Sequence, residues 1–136
     1  MKEFDELLAE DIAGYEGRHD DVIYQAPALY RLLCRFLDDP ALPRRLRPLV
    51  LSAIAYFVLP ADVIPEDIYG PEGYLDDIWL ACHVAAIVRK EVGDDHIVHD
   101  NWDGEAEPAA LIEEVCTTDF VDKETKEAVL GYIDLP

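Results

Sequence analysis

Six carboxylates crowd into the sixteen residues 62–77 of this chain, and five of them, Asp62, Glu66, Asp67, Asp76 and Asp77, are candidate ligands. Hard cations such as Mg²⁺ and Ca²⁺ take oxygen ligands, so this set can form a divalent-metal site, although its spacing is not that of an EF-hand. The competing reading is turn and capping chemistry, because Asp is at home in Pro-rich turns and at helix N-termini. Asp76 and Asp77 suit a helix start, where a carboxylate meets free N–H groups and the positive end of the dipole. Asp62 follows an apolar run and needs a partner: backbone N–H groups, an arginine or a metal.

Other chemistry-bearing residues are thinner in signal. Cys82-His83 pairs a thiol with an imidazole, but neighbours on a helix point about 100° apart and do not face each other. His96 and His99, between Asp95 and Asp100, have a spacing that can bind a transition metal, with a solvated loop as the plainer reading. Tyr56 and Tyr74 read as hydrogen-bonded core residues rather than catalytic acids. Five of the seven arginines, Arg31, Arg35, Arg44, Arg45 and Arg47, fall within seventeen residues. Such a cluster can clamp a phosphate; the simpler expectation is that it pairs with the aspartates of the 62–77 corner.

The elements that position these residues are helical. Leu49 to Leu59 is an uncharged apolar run held between Pro48 and Pro60. As a helix it spans about 16 Å against the ~30 Å of a bilayer core, which argues against a transmembrane span and for a core helix over 48–58. A second apolar pattern over 75–92 ends at Arg89, Lys90 and Gly93, cations and glycine where a helix C-terminus wants them. Shorter helical patterns cover 3–13, about 20–38 with a break at Pro27, a turn at 40–46 capped by Asp39, 108–116, and 122–133 capped by Asp122. Residues 93–107 read as a polar connection anchored by Trp102. The expected fold is all-α: one domain over 1–136, a small irregular, orthogonal bundle of about six helices around an apolar hairpin of 48–58 and 75–92, with an acidic C-terminal helical extension at about 105–136.

Charge narrows function. Thirty acidic against eleven basic residues give a net charge of −19. Nucleic acid and anionic membrane carry the same sign, so direct nucleic-acid binding is disfavoured and basic partners or cations are favoured. A salt-adapted host would account for the same composition. Three widely spaced cysteines, Cys34, Cys82 and Cys116, have no zinc-type spacing and suit a reducing, cytoplasmic setting. The acidic N-terminus has no apolar core of a signal peptide.

The string Y-F-V-L-P-A-D-V-I-P-E-D from Tyr56, followed by G-Y-L-D-D from Gly73, resembles the signature of the domain of unknown function 1232 family (the YkvA-like proteins). Tyr56, Pro60, Asp62, Ile64, Pro65, Gly73, Tyr74, Asp76 and Asp77 fall on the motif, and Leu37, Asp39 and Pro40 match its lead-in. The likeness covers about residues 29–90. It implies a helical hairpin with suspected membrane association and no established reaction. Glu66 stands where the motif has its acid after Ile-Pro, and the acid-rich loop counts against peripheral membrane contact. The expected function is therefore a non-enzymatic helical module that binds a basic protein, with a nucleic-acid mimic as one form of that reading, and no cofactor. The alternatives are Mg²⁺ or Ca²⁺ binding, or metal-dependent hydrolysis, at the Asp corner.

Overall fold

A computed structural model of the chain describes residues 3–17, 19–58, 74–117 and 121–132. Helices α1 (Phe4–Ile12), α2 (Asp20–Ile23) and α3 (Ala26–Asp38) lead to a 3-10 turn (Arg44–Leu46) and α4 (Arg47–Val58). Then come α5 (Leu75–Val92), α6 (His96–Asn101), α7 (Pro108–Thr117) and α8 (Lys123–Tyr132). Among the described residues there is no strand, so the all-α expectation holds. None of the described helices is long and apolar enough to cross a membrane.

Local chemistry explains the boundaries. Gly14, at φ 76°, ends α1 in a left-handed conformation that side chains resist. Pro27 sits in the first turn of α3, where its missing N–H has no helical partner to lose. Gly93, at φ 80°, closes α5, its N–H donating to the Arg89 carbonyl at 3.0 Å. The Glu107 carboxylate accepts the Ala110 N–H at 2.7 Å at the start of α7. Asp122 accepts the Thr125 N–H at 2.7 Å and caps α8 as expected.

Two expectations need correction. Asp39 does not cap a helix beginning at Pro40: its Oδ1 accepts the Ala41 N–H at 2.8 Å in a tight turn, and helical geometry resumes only at Arg44. The polar connection at 93–107 contains α6, whose Ile97 and Val98 are fully buried against α3 and α5. Two apolar residues suffice to dock so short a helix, and its polar composition hides them.

The hairpin helices divide the work differently from what their composition suggests. Every residue from Leu75 to Cys82 is buried, and α5 packs on α3, α4, α6, α7 and α8. It is the central helix, although it carries Asp76, Asp77, Arg89 and Lys90. The all-apolar α4 buries Leu49, Val50, Ala53, Tyr56 and Phe57 but leaves Leu51 and Val58 half-exposed, with Ala55 also facing outward. It lies at the edge. An aromatic seam of Phe4, Tyr30 and Phe57, with centroids 4.7 and 5.9 Å apart, ties α1, α3 and α4 together.

Candidate functional site

The described part of the motif forms a sealed polar corner. Tyr56, in the last turns of α4, is 1% exposed, and its hydroxyl donates to Asp76 Oδ2 at 2.7 Å. Asp76 Oδ1 accepts the Asp77 N–H at 3.0 Å, occupying one of the free donors of the first turn of α5. Asp76 and Asp77 are 0% and 1% exposed. Both residues take part in interactions beyond these. Tyr74, which precedes α5, is only half-buried, and its hydroxyl donates to Asp11 Oδ2 on α1 at 2.7 Å. The structure thus keeps Tyr56 as a hydrogen-bonded core residue and moves Tyr74 to the α1 side of the bundle. Pro60, Asp62, Ile64, Pro65, Glu66, Asp67 and Gly73 lie outside the described residues.

Burial is the new information here. A buried carboxylate is tolerated only with hydrogen-bond donors or opposite charge around it, because its desolvation costs several kcal/mol. The tyrosine hydroxyl, the amide N–H and the positive end of the α5 dipole all act on Asp76. Among the described residues, no group of three or more His, Cys, Asp or Glu is arranged to hold a metal ion.

Four arginines of the cluster, Arg31, Arg35, Arg45 and Arg47, have partners elsewhere in the bundle. Arg31 holds Asp103 through Nε at 2.9 Å and Nη2 at 3.0 Å, and reaches Asp5 at 3.3 Å. Arg35 meets the same Asp103 at 2.9 Å. Arg45 pairs with Glu91 at 2.7 Å, and Arg47 donates to the Leu37 carbonyl at 2.8 Å. Arg31 and Arg35 thus build a network joining α1, α3 and the segment after α6, while Asp62, Glu66 and Asp67, the other acids expected to meet the arginines, lie outside the described residues. Hydrogen bonds from Arg31 hold the Asp103 carboxyl below its ordinary value.

The remaining candidates are surface or core features. His96 and His99 sit one turn apart on α6, both about half-exposed, near Asp94 at 3.4 Å and Glu107 at 3.8 Å respectively. Burial pushes the Cys82 thiol well up, away from the nucleophilic thiolate. Its neighbour His83 stacks on Trp79 at 4.9 Å instead of facing the sulfur.

One feature has no counterpart in the linear motifs. A cleft of about 350 Å³ runs between α2, residues 105–107 and α7, and Asp21, Glu105, Glu107 and Glu114 line it. Its remaining described walls are Val22, Gln25, Ala106, Ala110 and Leu111. The four acids are spread over more than ninety positions, so only folding gathers them.

Comparison with known proteins agrees with the motif. A family model described as "Protein of unknown function (DUF1232)" matches residues 47–82, a span that holds Tyr56, Asp76 and Asp77. The chain is also similar to "Uncharacterized protein ORF9" of Methanothermobacter thermautotrophicus. They are 32% identical over 108 residues, which is 79% of this chain and 73% of that relative. No solved structure matches.

Proposed function

The chain belongs to the DUF1232 family of unknown function, and from this starting point we propose that it is a non-enzymatic helical module that binds a basic protein segment. The observation that carries this reading is the cleft itself, where folding gathers Asp21, Glu105, Glu107 and Glu114 around one opening. A net charge of −19 adds long-range attraction for a positively charged partner and speeds its encounter. The cleft suits an arginine or lysine side chain, with Val22 and Leu111 taking the aliphatic stem. The motif corner has a supporting role in this reading: it fixes α4 against α5 and leaves recognition to the outer face.

Calorimetric titration with an arginine-rich peptide tests the proposal. Binding should weaken about tenfold or more between 50 and 500 mM salt. The triple change Asp21→Asn, Glu105→Gln, Glu114→Gln should abolish it. Neutralising three carboxylates elsewhere, at Glu6, Glu124 and Glu127, should leave it largely intact. Equal losses from both triples would reduce the effect to bulk charge and sink the cleft as a site.

A second reading places Mg²⁺ or Ca²⁺ among Asp62, Glu66, Asp67, Asp76 and Asp77. The burial of two consecutive carboxylates favours it. Millimolar metal should then raise the melting temperature, and Asp77→Asn should remove the rise. An unchanged melting temperature in the native chain would discard this reading.

A further inference from the structure

On the face formed by the 3-10 turn, α4, α5 and α8 lies a groove of about 290 Å³ that the cleft reading does not use. Leu46, Leu49, Ile87 and Leu130 supply its walls, His83 lines it, and Arg45 is its charged lining residue. Apolar walls with one or two placed polar groups are the usual make-up of a small-molecule site, and this volume lies at the lower end of the usual range. It is too small for a dinucleotide and suits a short chain.

We propose that this groove binds a medium-chain aliphatic carboxylate, with the chain along Leu46, Leu49, Ile87 and Leu130 and the head group on Arg45. Charge selects the head. Arg45 is flanked in sequence by Arg44 and Arg47, a local run of positive charge in an otherwise acidic chain. The Debye length of ~10 Å at 0.1 M salt screens the distant carboxylates, so the arginines dominate locally. Arg45 is already engaged, at 2.7 Å, by Glu91, and both side chains are substantially exposed. A ligand carboxylate can replace Glu91 without uncovering a buried charge. Burial lowers the His83 pKa, with Lys126 acting in the same direction, so the imidazole is neutral near pH 7 and compatible with the apolar wall.

The stacking of His83 on Trp79 provides the readout. Titration of the full chain with hexanoate, octanoate and decanoate, below micelle formation, should change Trp79 emission saturably. Affinity should rise about fourfold per added methylene until the groove is full. Arg45→Gln should weaken octanoate about tenfold, and Glu91→Gln, which removes the competing carboxylate, should tighten it about threefold. Ile87→Trp should block binding, with circular dichroism confirming that the variant folds. Arg45 and Glu91 are exposed, so their opposed effects remain readable if Ile87→Trp does not fold. Equal affinity for octanol and octanoate, tightening absent in Glu91→Gln, or no saturable signal with decanoate would each overturn the proposal.

Discussion

The Tyr56–Asp76 contact and the Arg31–Asp103 contact both use an aspartate to hold distant pieces of chain together, and both are short. Their surroundings differ. Asp76 is wholly enclosed at the start of the central helix, whereas Asp103 and its arginines sit about one-third exposed. The first pair sets a neutral hydroxyl, and not an oppositely charged group, against its carboxylate. The second pair has full charges, but water competes for them and salt screens them. The better-hidden and less charged contact should therefore be the more costly to lose, opposite to the order expected from formal charge.

Four measurements can break that ordering. The largest effect should come from Asp76→Ala, which removes the acceptor of the buried Tyr56 hydroxyl and a carboxylate from the α5 N-terminus. Urea denaturation should show a loss of about 3 kcal/mol. Asp76→Asn should lose less, since its amide oxygen still accepts. Tyr56→Phe comes next, at about 2 kcal/mol, because a buried carboxylate oxygen loses a donor. Third is Arg31→Ala, at about 1 kcal/mol after allowing for solvent screening, and that loss should shrink further in high salt. A larger loss for Arg31→Ala than for Tyr56→Phe would refute the comparison.

The smallest effect is one of pH. Asp103 has a folded pKa below the ordinary 3.8, chiefly through hydrogen bonds from Arg31. As pH falls, the unfolded chain takes up this proton first. The stabilisation is therefore complete above the ordinary value and fades as pH drops through the depressed folded value. Stability followed from pH 6 down to pH 2 should fall less steeply for Asp103→Asn than for the native chain. Identical slopes would mean that the arginines do not act on Asp103 in solution.

Much of this architecture was legible before folding was considered. Pro48 and Gly93 bracket α4 and α5 to within a residue, because proline and glycine act locally. The family motif marks Tyr56, Asp76 and Asp77 as a unit, and they are indeed brought together. The hairpin of 48–58 and 75–92 was legible as the centre, but that α5 is more enclosed than α4 was not. Composition points to the all-apolar α4, but a helix can be apolar on an exposed face, and Leu51 and Val58 are. Conversely, Asp76 and Asp77 look like surface residues until Tyr56 and the amide of Asp77 are seen to meet one carboxylate. Arg31 and Asp103 are separated by 72 positions, and no local pattern links them. The same applies to the acidic cleft, whose members come from α2, the segment after α6, and α7.

The central place of α5 has a consequence for synthesis on the ribosome. A nascent chain that stops short of residue 75 contains α3 and α4, with Leu29, Leu33, Val50 and Phe57 ready for burial, but not the helix that covers them. These two helices can pair with each other, yet their remaining apolar flank must wait. When α5 emerges, it meets both of them before α6, α7 and α8 exist to cover its other sides. Such a chain matures around its middle, and the unfinished half exposes the kind of surface that chaperones bind.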